Sequence, residues 1–195
     1  MTELNRIHPL TGSHCTGVEA KREEVQEKTL IMGLGSEVLG DKSLPLRLVR
    51  DLEQGHPHTG LYYTVANTGG LDLLEHLEGF SRAMIIDTVM TGKPACGQVA
   101  VYNPGDPFPG SLHLPACSDA GSPVPLMLGR KLGLRLPSVV RIVSVGIPEW
   151  LEFSLSFSDL IGTAYPGILS ELRSLAGTAV NGQVSQKYMQ FNPSS

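Results

Sequence analysis

Apolar positions along the chain fall into short runs separated by amphipathic stretches. Thr29-Leu-Ile-Met-Gly-Leu-Gly35 is an apolar run stopped by glycine, the pattern of a buried strand entering a turn. The next stretch, 44–52, has apolar residues at 44, 46, 48, 49 and 52, which suits one face of a helix with Pro45 in its first turn. Further strands are predicted over 61–65, 83–86, 97–102 and 139–145, most of them rich in β-branched or aromatic residues. Helices are predicted over 71–77, 125–134 and 158–176, the last broken or bent at Pro166-Gly167. Strands that alternate with helices predict a three-layer α/β/α fold, with about five mostly parallel strands covered on both faces. The run from Glu19 to Lys28 holds helix formers without an apolar face. Residues 1–28 therefore read as a charged arm, 29–176 as the domain and 177–195 as a polar tail.

Composition narrows this picture. At 195 residues and 41% hydrophobic content, the chain suits one domain with a sizeable core. Its 22 glycines and 14 prolines are too many for a coiled coil. With 15 Lys and Arg against 19 Asp and Glu, it lacks the basic excess that neutralises phosphates, so no nucleic-acid partner is expected. No segment approaches the roughly 18 apolar residues of a membrane span, and residues 1–17 have no apolar stretch behind a basic head. The expectation is a cytoplasmic protein without a membrane partner. Cys15, Cys96 and Cys117 are far apart and form no C-x-x-C pair, against both a disulfide framework and a cysteine-rich zinc module.

Several chemistries fail on spacing. Gly33-Leu-Gly35 opens a dinucleotide fingerprint whose third glycine would fall at Val38. Gly35 to Ser43 is one residue away from a phosphate loop, but Asp41 puts a negative charge where backbone N–H groups and a cation must converge on phosphate. Nucleotide binding therefore stays a weak alternative. Cys117 lies four residues from His113 without an orienting third group, and His56-Pro-His58 sits on an extended segment rather than one helix face. What remains is Asp87 at a predicted strand end, His113 on the long Pro/Gly-rich loop 103–119, and Asp41 in a glycine-rich turn. Asp87 alone would read as a cap and His113 alone as a loop residue. Together they suit a mixed N/O site for nickel or zinc.

In order along the chain, these residues resemble a known family. Ile31-Met-Gly-Leu-Gly-Ser-Glu-Val-Leu-Gly-Asp41 resembles the opening strand and first loop of the nickel-iron hydrogenase maturation endopeptidases. Thr68-Gly-Gly-Leu-Asp-Leu-Leu74 resembles their second-loop motif, Ala83-Met-Ile-Ile-Asp87 their metal-binding strand, and Ser111-Leu-His113 with Asp119 their histidine loop. Val145-Gly-Ile-Pro-Glu149 and the Leu-Ser-Phe-Ser segment after it are similar to the last strand and final helix. The resemblance spans about residues 29–176. It implies a nickel-dependent endopeptidase that removes the C-terminal extension of a hydrogenase large-subunit precursor, using nickel carried by that substrate. Asp87 and His113 are then ligands, with Asp41 as a candidate for the third.

The first loop departs from the family pattern. The family's acidic residue falls on Lys42, its asparagine on Ser36, and two glycines on Ser43 and Pro45. A further aspartate falls near Val65. An ammonium about 5 Å from a dication is repelled by roughly 7 kcal/mol at an effective dielectric near 20. Asp41 or Glu37 would have to replace the missing oxygen. The alternative is a non-catalytic relative that keeps the cleft to bind a hydrogenase subunit or an assembly factor.

Overall fold

A computed structural model describes residues 28–55, 60–103, 106–108, 110–111, 113–114, 124–148 and 153–181. Five strands form one sheet: β1 (Thr29–Leu34), β2 (Leu61–Ala66), β3 (Arg82–Thr91), β4 (Val99–Tyr102) and β5 (Val139–Pro148). Their order is β2-β1-β3-β5-β4, all parallel except β4, which runs antiparallel to β5. Four helices accompany them: α1 (Leu44–Gly55), α2 (Leu73–Leu77), α3 (Val124–Lys131) and α4 (Asp159–Asn181).

Strand side chains alternate between two cores, which gives three layers. Ile31, Met84, Ile86, Val143 and Val145 pack with α1 and α4. Leu30, Met32, Ile85, Val140 and Ile142 pack with α2 and with Leu126 of α3. The layered α/β fold with a mostly parallel sheet is therefore as predicted. Each fully buried aliphatic side chain contributes roughly 1.5–3 kcal/mol, and such residues fill both faces.

The structure corrects two readings. β3 does not stop at Asp87: it runs on to Thr91, because β5 stays paired with it through Thr91↔Pro148. β1, by contrast, is last paired at Gly33↔Ile86. Asp87 thus lies inside a strand, at the level where its β1 neighbour ends. In addition, α4 is not broken at Pro166 but continues through it. Proline lacks the N–H that would bond the carbonyl four residues back, here that of Gly162, and both residues are exposed to water.

Connections from β1 lead to β2 on one side, while β3 lies on the other. Such a reversal opens a crevice beyond the carboxyl ends of the central strands, the usual ligand position in open α/β sheets. Among the described residues, no helix is long and apolar enough to cross a membrane. Residues 1–27 and 182–195, most of the expected arm and tail, lie outside those described.

Candidate functional site

The first wall of the crevice is the turn after β1. Gly35 lets it close: an added Cβ would lie 2.2 Å from the Lys42 carbonyl oxygen, which accepts the Ser36 N–H at 3.2 Å. At Gly33 a Cβ would lie 2.6 Å from the Pro45 oxygen. The Gly-x-Gly pattern therefore serves the approach of turn and helix to the strand end. Gly40, at φ +48°, leads the chain into a 3-10 turn over Gly40–Ser43.

Three charged side chains leave this turn in different directions. Glu37 accepts from Arg50 Nη2 at 2.5 Å on the surface. Asp41 Oδ1 accepts the Ser158 N–H at 2.8 Å, just before α4 begins. Lys42 is 1% exposed, and the charge of Asp87 acts on it. Burial lowers the pKa of the Lys42 amine, and the Asp87 carboxylate partly offsets that effect.

Asp87 is fully buried, on the face of β3 that packs toward α2. Its Oδ1 accepts the Thr88 N–H at 2.7 Å and lies 3.2 Å from His113 Nδ1. Its Oδ2 accepts the Ser111 hydroxyl. The same Ser111 oxygen accepts N–H bonds from His113 at 3.3 Å and Leu114 at 2.9 Å, so one hydroxyl ties the histidine turn to the strand. Leu114, 2% exposed, anchors that turn in the core. Gly69 supports it from the other side, where an added Cβ would lie 2.5 Å from the His113 carbonyl oxygen.

His113 is itself buried, and its Nε2 has no hydrogen-bond partner among the described residues. An ionised carboxylate only accepts, so the Asp87 contact places a proton on the facing Nδ1. A carboxylate on one imidazole nitrogen, with the other left open, is the usual outer support of a metal-binding histidine. It serves equally to orient a histidine that accepts a hydrogen bond.

The structure therefore pairs Asp87 with His113, buries Lys42 within range of the Asp87 charge and directs Asp41 toward α4. Among the described residues, no three His, Cys, Asp or Glu side chains gather in a group able to hold a metal ion. Asp119, Cys117, His56 and His58 lie outside the described residues. Cys96 is a partly buried free thiol whose pKa is raised, chiefly by burial. Sequence reasoning missed the clamp made by Ser111 and the spacing role of Gly69. Both sit inside quoted motifs, but their contacts depend on loops distant in sequence.

Beside this cluster, Leu39, Gly40 and Asp41 face Ser154, Ser156 and Phe157 across a cleft. The two walls are joined as a strand pair, with Gly40 N–H donating to the Ser154 carbonyl at 2.8 Å and Ser154 N–H to that of Val38 at 3.2 Å. Phe153 and Leu155, flanking Ser154, are 89% and 85% exposed, and Val38 is 51% exposed.

No protein-family profile and no curated protein sequence matches this one. Solved structures are. The hydrogenase maturating endopeptidase HybD from E. coli is 21% identical and superposes over 77% of this chain and 93% of its own, with a TM-score of 0.57. The [NiFe] hydrogenase maturation protease HycI from Thermococcus kodakarensis KOD1 is 13% identical over 77% of this chain and 92% of its own, with a TM-score of 0.54. The solution structure of the endopeptidase HycI from Escherichia coli is 12% identical over 86% and 99%, with a TM-score of 0.54. By its strand order, its layers and these superpositions, the chain has the fold of the hydrogenase maturation endopeptidases.

Proposed function

We propose that this chain acts in nickel-iron hydrogenase maturation by binding a large-subunit precursor or an assembly factor at the crevice, without cutting it. The carrying observation is Lys42, buried at the position where the family pattern has an acidic residue and within range of the Asp87 charge. Cleavage assisted by substrate-borne nickel needs oxygen and nitrogen donors around the dication. Here an amine stands in that place, Asp41 is bonded to Ser158, and Glu37 is bonded to Arg50. The exposed Phe153 and Leu155 at the cleft rim supply apolar surface of the kind used in protein recognition.

A second reading, the nickel-dependent endopeptidase itself, is favoured by His113. Its Nε2 is buried without a hydrogen-bond partner among the described residues, and its ring is oriented by Asp87, as in metal-binding histidines. In that reading Asp87 and His113 serve the nickel brought by the precursor, with Asp41 as the third ligand if it leaves Ser158.

One experiment separates the two. The protein is mixed with a nickel-loaded large-subunit precursor, and both retention and removal of the C-terminal extension are scored. The expected result is retention without cleavage, unchanged by His113→Ala. Tail removal by the parent that is lost in His113→Ala and in Asp87→Ala would establish the endopeptidase instead.

A further inference from the structure

We infer that the outer edge of β2 is a self-association site, at which a second copy of this chain adds its own β2 antiparallel across a two-fold axis. The two five-stranded sheets then run on as one. This surface is separate from the crevice, so the inference holds or fails independently of the function proposed above.

β2 pairs with β1 position by position, from Thr29↔Leu61 to Leu34↔Ala66, and among the described residues no strand lies beyond it. Two bonds fix which of its backbone groups face inward: Thr29 N–H donates to the Gly60 carbonyl at 2.8 Å, and Gly35 N–H to that of Ala66 at 3.1 Å. Strand geometry repeats every two residues, so the even positions from 60 to 66 face β1 and the odd ones face outward. Leu61 and Val65 bracket that outward row, each with one N–H donor and one carbonyl acceptor. The rest of the strand is only partly covered: positions 63–66 are half-buried, and Tyr62 is 44% exposed although its ring meets Phe80 edge-on at 5.5 Å.

Exposed edges are ordinarily guarded by charge, proline, a bulge or shortness. Leu61-Tyr-Tyr-Thr-Val-Ala66 holds no charged residue, proline or glycine, and its unbroken register leaves no bulge. The opposite edge, β4, is shorter, at four residues, three of them buried. An unguarded row of this kind calls for another strand, and β2 is its own complement. In an antiparallel pair centred on Tyr63, Leu61 stands opposite the partner's Val65 and Val65 opposite the partner's Leu61, and each such pair exchanges both N–H···O bonds. Tyr62 then stands opposite the partner's Thr64, a favourable pairing of aromatic with β-branched side chains. Neither strand carries a charge to repel its like. The contact is isologous and closes at two copies.

The test is sedimentation equilibrium of the full chain from about 1 to 300 μM, a range that spans weak specific association. Backbone amide exchange is followed by NMR over the same range. The expected parent is a monomer–dimer equilibrium in which Leu61 and Val65 amides become slower to exchange as concentration rises, while those of Tyr62 and Thr64, already bonded to β1, do not change. Val65→Pro removes an outward N–H without removing a bond to β1, and should be monomeric throughout. Should that variant fail to fold by circular dichroism, Thr64→Lys carries the test. It sets an ammonium opposite the partner's Tyr62, over whose ring the partner's Lys28 lies at 5.8 Å, and should weaken the dimer about tenfold or more. A parent that stays monomeric across the range would overturn the inference. So would a dimer that survives in the folded variants, or one whose Leu61 and Val65 amides are unaffected by concentration, since either places the contact elsewhere. Protection of those two amides in the monomer would assign the edge to another segment of the same chain, and would overturn it as well.

Discussion

Asp87 and His113 are separated by 26 positions in the chain, yet Oδ1 of the one lies 3.2 Å from Nδ1 of the other. A central strand supplies the carboxylate and a proline-rich loop supplies the ring. Ser111 bonds to both segments, which makes the pair a property of the folded domain. Asp87→Ala should therefore act on stability as well as on binding. It removes the acceptor of three hydrogen bonds, a loss of about 3–5 kcal/mol at roughly 1–1.5 kcal/mol for each. Urea unfolding would measure it, and a loss below about 1 kcal/mol would contradict the assigned contacts.

Lys42 predicts a pH dependence with a definite sign. Burial lowers its pKa from 10.5 in the folded protein, against the pull of Asp87. Between that lowered value and 10.5 the unfolded chain binds more protons, so this site's contribution to stability rises with pH. The unfolding free energy of the parent minus that of Lys42→Met should increase as pH is raised from neutrality toward 10.5. Other titrations are common to the two proteins and cancel. A difference that falls over this range would show that the amine is not held in the buried position.

Tyr165 gives a prediction of opposite sign. Its hydroxyl donates to Asp51 Oδ2 at 2.6 Å between α4 and α1, and its ring stacks on Phe157. Burial first, and then the bond to Asp51, raise its pKa above the usual 10.0. The protonated form is thus favoured on folding. The benefit is complete below 10.0 and is lost as pH climbs through the higher folded value. Tyr165→Phe should cost about 1 kcal/mol at neutral pH, and the gap to the parent should narrow in strongly alkaline solution. Denaturant midpoints measured across that range are the readout.

Two glycine replacements should separate frame from site. Gly35→Ala sets a Cβ against the Lys42 carbonyl, so the first turn must shift, at a cost of about 1–3 kcal/mol. Gly69→Ala presses on the His113 carbonyl instead. It should alter the His113 ring signals in a ¹⁵N spectrum while amide exchange in β1 and β3 stays slow. Ring signals unchanged by Gly69→Ala would remove that glycine from the support of the histidine.

If the cleft rim meets a partner, Phe153→Ser and Leu155→Ser should weaken retention of the large-subunit precursor. Both residues are so exposed that unfolding should move by no more than about 0.5 kcal/mol. Full retention by the double variant would place recognition elsewhere.

Much of this arrangement was legible in the sequence because it is local. Apolar runs marked the five strands, and the 44–52 periodicity marked a helix that packs Leu48, Val49 and Leu52 into the core. The extension of β3 beyond Asp87 was not legible, since it depends on the register with β5, more than fifty positions away. The antiparallel direction of β4 is set by the same non-local pairing. For Lys42, identity and position are legible but burial is not, because a long side chain in a turn is usually solvated. Its burial shows only in the fold, where the turn closes on Gly35. Asp41 illustrates the reverse: nothing nearby in sequence marks its bond to Ser158, 117 positions away.

The extension of β3 past Asp87 also bears on how the crevice breathes. A carboxylate set inside a strand that stays paired to β5 has the lifetime of the sheet and is released by global unfolding. The imidazole opposite belongs to a loop tied down by the Ser111 hydroxyl, the Leu114 anchor and the packing of Gly69. The two halves of the pair therefore owe their places to different forces, backbone pairing for the carboxylate and side-chain contacts for the imidazole, so that a change at Ser111 or Gly69 acts on the histidine and leaves the carboxylate where the fold put it.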